Sequence, residues 1–424
     1  MKIIRANEKI DMRRGVDGGT AGQRQAVGGI LDEVKKRGDA ALAELTKRFD
    51  GVELKSFNVE QEEIQSACRE MDTHLMEAIR EAAENIRDFH RRQVQQSWIT
   101  TKEDGTMLGQ KVVPLDAVGV YVPGGTAPLA SSLLMGAIPA QIAGVGRIVV
   151  ATPPQRDGTI ASGVLAAANE LGIREIYKVG GAQAIGALAI GTETISPVDK
   201  IVGPGNAFVA EAKRQVFGMV DIDSIAGPSE IAVIADETAD PRYVAADLLS
   251  QAEHDVRSAA VLFTPSPSFA EDVAREVRKQ LENLPRKAIA EQSLRDHGKI
   301  YVVKDVEDAV TYVNEFAPEH VEVMVANPYD CLGKIRHAGA VFLGPDSSEP
   351  VGDYFAGPNH VLPTSGTARF SGPLGVDDFT KKTSIISYSS RAIGQNAGKI
   401  AALARLEGLE AHARAVEIRS EGKR

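Results

Sequence analysis

The sequence predicts an α/β protein of two modules, each a mostly parallel sheet covered by helices. Three observations carry that reading. At 424 residues the chain is too long for one ordinary core, so two or three domains are expected. From Ala117 onward, short apolar runs end in Gly or Pro and lead into small-residue helical stretches. The 40 Gly and 20 Pro are spread between those runs, where tight strand-to-helix turns need them.

The elements follow in chain order. Residues from about 23 to 98 read as helical. Val27, Ile30, Leu31 and Val34 recur at helical spacing, and Gly38 stops the run. Asp39 can cap the next helix, 40–48, which ends at Asp50-Gly51. Leu75, Ile79, Ala82, Ile86 and Phe89 mark a long amphipathic helix. Strand-like runs then occur at 117–122, 147–151, 175–179 and 200–202. They lead into Pro123-Gly124-Gly125, Pro153-Pro154, Gly180-Gly181 and Gly203-Pro204-Gly205. A second set starts with 231–235. Asp240 with Pro241 then signals a helix start, and that helix ends near His254. Further strands are expected at 259–263, 299–303 and 340–343. The segment 392–419 reads as largely helical and amphipathic.

Composition narrows the function. Apolar residues make up 43% and charged residues 25%, the range of globular proteins. A net charge of −10 and a pI near 5.5 argue against a nucleic-acid partner. Only Cys68 and Cys331 are present, so neither a disulfide framework nor a thiolate zinc site is available. The charged N-terminus shows no signal-peptide pattern, and no apolar stretch is long enough to span a bilayer. A cytoplasmic protein is expected.

The chemistry concentrates in the last 180 or so residues. Gln251 and His254 stand three apart at a helix end, close enough to share one ion. The same pair also describes a polar helix C-terminus, where His suits the dipole. Asp353, in Gly-Asp-Tyr-Phe-Ala-Gly-Pro-Asn-His, and His412 would bring the donors to four, the number zinc takes. Spacing alone does not show that the four meet. Glu319 and His320 follow Pro318 and suit proton transfer near neutral pH. Neighbours on a strand point to opposite faces, so a turn at Pro318 would be needed for both to reach one substrate. A solvated loop is the plain alternative. His360 is another loop histidine and is left out of the set. His74, His90, His297 and His337 lie among charged neighbours and read as surface residues. No Gly-x-Gly-x-x-Gly follows any predicted strand, so a dinucleotide site would be non-standard.

Taken together, these segments resemble the histidinol dehydrogenase family over nearly the whole chain. The resemblance rests on Tyr-Val-Pro-Gly-Gly-Thr-Ala-Pro-Leu-Ala-Ser-Ser (121–132), Lys-Val-Gly-Gly-Ala-Gln-Ala-Ile (178–185), Lys-Ile-Val-Gly-Pro-Gly-Asn (200–206) and Ile-Ala-Gly-Pro-Ser-Glu-Ile (225–231). Gln-Ala-Glu-His-Asp, Ala-Pro-Glu-His and Gly-Pro-Asn-His-Val-Leu-Pro-Thr complete it. It implies two-step oxidation of L-histidinol to L-histidine through histidinal, at the end of histidine biosynthesis, with NAD as co-substrate and one Zn2+ per subunit. It implies zinc on Gln251, His254, Asp353 and His412, and Glu319 and His320 as the acid–base pair. Tyr121, Gln183 and Asn206 would contact NAD. Ser229, His320, Asp353, Tyr354 and Glu407, with the metal ligands, would hold the substrate. The implied fold has two Rossmann-like modules and small end segments that swap in a homodimer. Residues 1–17 and 373–424 would be those segments. Residues 18–120 with 229–372 would carry zinc and the catalytic pair, and 121–228 would bind NAD. Glu407 and His412 would then complete the partner's site. A related dehydrogenase acting on another polar alcohol, such as a sulfonated diol, is the alternative. Ser229 and Asp255 favour histidinol over it. A catalytically silent scaffold would require loss of Glu319 or His320, and both are present.

Overall fold

Continuous apolar runs become the central strands of two parallel sheets. Glu230–Ala235 and Ala259–Thr264 are buried along their whole length, as strands covered by helices on both faces must be. They belong to a six-stranded sheet ordered Lys2–Arg5, Lys299–Val302, Ala259–Thr264, Glu230–Ala235, His320–Met324 and Ala340–Leu343, with every pairing parallel. The five-stranded sheet runs Ile176–Lys178, Arg147–Thr152, Ala117–Tyr121, Lys200–Val202 and Asp221–Ile222, again all parallel. Apart from the Lys2–Arg5 edge, the two sheets share one strand order. The first strand is central, the second and third lie on one side, and the fourth and fifth on the other. Each sheet therefore reverses direction once, and such a reversal opens a crevice at the strand ends. The computed structural model describes residues 1–6, 10–15, 19–124 and 129–421. Gly125 of the expected turn and parts of segment 1–17 lie outside them.

The α/β reading holds, with differences that have physical causes. Asp240 caps its helix by accepting from Arg242 N–H at 2.8 Å, with Pro241 in the first turn. Asp39 does not cap. Its carboxylate accepts from Thr194, and Glu193 accepts from the Asp39 N–H at 2.7 Å, so the start of that helix is held from outside. His90, expected at the surface, is buried, with Nδ1 2.8 Å from Ile86 O. Residues 18–120, expected beside the six-stranded sheet, pack largely on the five-stranded one. Val27, Leu31 and Val34 share a core with Ile185 and Leu188, while Ile64, Ala82 and Ile86 share one with Val120 and Leu133. An apolar helix face does not encode which sheet it will cover.

One further element lay outside the sequence reading. Trp98–Thr101, Met107–Pro114 and Thr380–Ser387 form a small antiparallel sheet that ties the C-terminal segment to the middle of the chain. The C-terminal segment is largely helical as expected, and it forms a hairpin of Ser390–Leu406 and Glu410–Ser420. It breaks at Gly408, whose φ of 77° favours glycine. Arg405 bridges Glu410 and Glu417 across the two helices. The hairpin's own core is only Ala401, Ala404 and Ala413, and Leu403, Leu406 and Ile418 are exposed. No helix among the described residues is long and apolar enough to cross a membrane.

Candidate active site

The six-stranded sheet brings Glu319 and His320 together at the starting edge of its strands. The helix Val306–Phe316 ends in Ala317, which adopts the left-handed conformation at φ 51°. That turn, followed by Pro318, lets both side chains turn toward the neighbouring strand start. The N–H of Glu230 donates to Glu319 Oε2 at 3.1 Å, and Ser229 also hydrogen-bonds that carboxylate. His320 Nδ1 lies 3.2 Å from Glu230 O and 2.9 Å from Gln251 Oε1. The backbone carbonyl can only accept, so Nδ1 carries a proton. Nε2 is then the open nitrogen. It is buried, lacks a hydrogen-bond partner, and faces Asp353 Oδ1 at 3.8 Å.

The charges here are strongly coupled. Burial pushes the Glu319 carboxyl up, opposed by His320 and by the hydrogen bonds from Glu230 and Ser229. Burial alone would lower His320, but Glu319, Asp353 and Glu349 outweigh it and raise it to about 9. Burial would likewise raise Asp353, yet the histidines around it, His320 foremost, hold it below its ordinary value. Burial, then the negative Asp353, raise Glu349 to about 7.

Gln251 ends the helix Pro241–Ala252, and His254 lies just past it, with its N–H bonded to Gln251 O at 3.3 Å. The two side chains meet, Gln251 Nε2 standing 3.4 Å from His254 Nδ1. Asp353 comes from the helix Glu349–Tyr354. Glu349 in that helix went unnoticed in the sequence, where it reads as an ordinary acid at a helix start. Its Oε2 accepts from Ser250 Oγ at 2.6 Å, and its Oε1 lies 3.9 Å from His254 Nε2. One atom each of His320, Glu349 and Asp353 lie within 4.8 Å of one another. This cluster shares only Asp353 with the zinc set read from the sequence. Two neighbouring carboxylates whose burial and mutual repulsion raise Glu349 form a donor set that suits a divalent cation. A cation there would also oppose the raised pKa of His320. His360, left out of the sequence set, approaches too, with Nδ1 3.0 Å from Asp353 O and Nε2 3.4 Å from Ser132 Oγ. Only a contact across chain segments could have revealed it.

Tyr354 is 58% exposed beside Asp353. Glu407 and His412 stand apart from the other donors within this chain. They line a groove in the C-terminal hairpin, among residues such as Leu403 and Val416.

Tyr121, Gln183 and Asn206 come together in a separate cleft of about 1320 Å³. Tyr121 ends the first strand of the five-stranded sheet, and Gln183 and Asn206 follow the third and fourth, at the ends where its order reverses. Tyr121 OH accepts from Gly181 N–H at 3.0 Å, and Asn206 caps the helix Ala207–Val216. Gly203, between them, has φ 116°, and a Cβ there would meet Tyr121 O at 2.0 Å. Only glycine lets these two strand ends approach so closely.

Known proteins match along the same length. The family model described as Histidinol dehydrogenase matches residues 17–420. Histidinol dehydrogenase of Halalkalibacterium halodurans is 62% identical over 424 residues, covering 100% of both chains. That of Geobacillus kaustophilus is 64% identical over 421 residues, covering 99% of each. The crystal structure of histidinol dehydrogenase from Elizabethkingia anophelis superposes with a TM-score of 0.94 at 40% identity, covering 99% of this chain and 98% of that one. This chain belongs to the histidinol dehydrogenase family.

Proposed function

We propose that the protein oxidises L-histidinol to L-histidine in two NAD-dependent steps, as a cytoplasmic homodimer. The observation that carries the chemistry is His320. Its Nδ1 is committed to Glu230 O, and its Nε2 is buried without a partner. Once neutral, that nitrogen takes the hydroxyl proton while hydride leaves the same carbon for NAD. The carbon becomes the aldehyde, histidinal. Glu319 then takes a proton from water as the water oxygen adds to the aldehyde carbon, and protonated His320 returns its proton to the aldehyde oxygen, so that a hydrate results and His320 is neutral again. A second hydride leaves that carbon, His320 again accepts the hydroxyl proton, and the carboxylic acid is formed. The relatives' shared name disfavours another alcohol, such as a sulfonated diol, as the substrate.

Gln251, His254 and Asp353 would hold zinc, with His412 of the partner subunit as the fourth donor. We prefer this set to the one containing His320, because a base bound to metal cannot accept a proton. Zinc held there supplies charge that orients the imidazole and amine of the substrate. Ser229, Tyr354 and the partner subunit's Glu407 complete the substrate pocket, Glu407 suiting its cationic end. Tyr121, Gln183 and Asn206 would contact NAD, and residues 121–228 would form the NAD-binding unit. Residues 1–17 and 373–424 would be the dimerising segments.

Two measurements test this reading. Purified protein with zinc, NAD and L-histidinol is expected to form two NADH per histidinol consumed, and a yield of one would sink the two-step proposal. His254→Ala is expected to purify with its zinc largely lost, by elemental analysis. Wild-type zinc content in that variant would remove His254 from the donor set.

A further inference from the structure

Asp50 stands where the fold gains nothing from a carboxylate. It is the C-cap of the helix Asp39–Phe49, its N–H bonded to Thr46 O at 2.8 Å. That end of a helix is its negative pole, and Lys47 and Arg48 in the last turn have the sign that suits it. Asp50 has the opposite sign. Its Oδ2 is closed off from solvent and has no hydrogen-bond partner. Burial, with no cation to offset it, pushes its pKa up to about 6. Buried acceptors left unpaired are rare and call for an explanation. Breaches of local rules such as these concentrate at functional positions.

The explanation lies in what Asp50 faces. It lines the same cleft as Tyr121, Gln183 and Asn206. It is near enough to Tyr121 for its charge to help keep that phenol protonated, after burial, which raises it to about 12. Tyr121 accepts from the backbone of Gly181, so its own proton remains to be given to a ligand. Asp50 thus puts a carboxylate into this wall, and no protein donor meets its inner oxygen, Oδ2. Arg48, two residues before it, sits over the Phe49 ring at 5.1 Å. A dinucleotide carries adjacent hydroxyl donors on each ribose, and a carboxylate oxygen pair accepts from such a diol.

We infer that Asp50 is a cofactor-binding residue whose carboxylate accepts hydrogen bonds from ribose hydroxyls of the dinucleotide. The inference rests on the reading of this cleft as the NAD site. A purely structural Asp50 would predict the reverse of what the variants should show. Without NAD, Asp50→Asn and Asp50→Ala are expected to melt at the wild-type temperature or above, since a buried charge opposed by the helix is removed. NAD affinity, measured by calorimetry on the zinc-loaded protein, is expected to weaken roughly 10- to 100-fold in Asp50→Ala, the range of a charge-assisted hydrogen bond. The thermal shift induced by NAD should shrink in parallel. Asn keeps the volume and covers the case in which Ala loosens the helix end. Wild-type NAD affinity in both variants would overturn the inference while leaving the cofactor reading intact. Failure of the wild-type protein to bind NAD would overturn both.

Discussion

His320→Asn is expected to slow both oxidations, whereas Glu319→Gln should slow the oxidation of histidinal far more than that of histidinol. The expected loss for a general base is roughly a hundredfold to ten-thousandfold. The asymmetry follows from what each group can do. Every hydride departure needs a proton acceptor on the same carbon's hydroxyl, and His320 Nε2 is the open acceptor. Only the second oxidation needs water added first. Glu319 lies beside His320, its Oε2 3.8 Å from Nδ1, and is held by the Glu230 N–H and Ser229. Glutamine keeps its size and one of its acceptors but cannot take a proton from water. Single-turnover NADH formation from each substrate reads the two steps separately. Equal impairment of both by Glu319→Gln would reject the division of labour and leave the dehydrogenase reading standing.

The second large effect is a gain rather than a loss. Inactive His320→Ala protein mixed with inactive His412→Ala protein is expected to recover activity after subunit exchange. In this chain His412 lies on the C-terminal hairpin, apart from Gln251, His254 and Asp353. The hairpin leaves Leu403, Leu406 and Ile418 uncovered around a very small core, which fits a segment meant to lie against another subunit. If each site takes its own chain's His320 and the other chain's His412, a hybrid dimer has one intact site and one doubly damaged site. At equal mixing, half the dimers are hybrids, so about a quarter of wild-type activity should return. Exchange can be followed with differently tagged chains. Verified exchange without recovery would count against a site shared between subunits.

Much of the fold could be read from the sequence because its strands are fully buried. A strand such as Glu230–Ala235, apolar from Ile231 onward and closed by turn residues, announces itself. Tyr121, Gln183 and Asn206 entered through the family resemblance, and the structure gathers all three along one cleft of the five-stranded sheet. The antiparallel sheet around Met107–Pro114 was not legible. Trp98–Thr101 and much of Thr380–Ser387 are exposed, so no alternation of apolar residues marks them. Glu349, His360 and Asp50 were missed for a different reason. Their roles depend on burial and on distant neighbours, and a carboxylate looks the same in sequence whether it is solvated or stranded. His412 could be named as a donor-type residue in the sequence, but only the family resemblance joins it to the zinc set, because within one chain it stands apart from the other donors.

The edge strand Lys2–Arg5 has a consequence for how the protein is made. It is synthesised long before its partner, Lys299–Val302, with Lys2 beside Lys299. At about 5–20 residues per second, a ribosome needs roughly 15–60 s to deliver that partner. The five-stranded sheet, whose strands lie between Ala117 and Ile222, has all its parts well before then. The growing chain therefore carries a finished module in its middle and an unpaired strand at its front, where Ile3 and Ile4 wait without a partner. Chaperone demand during synthesis should fall on that front end, and a shortened N-terminus should change the yield of folded protein more than its chemistry.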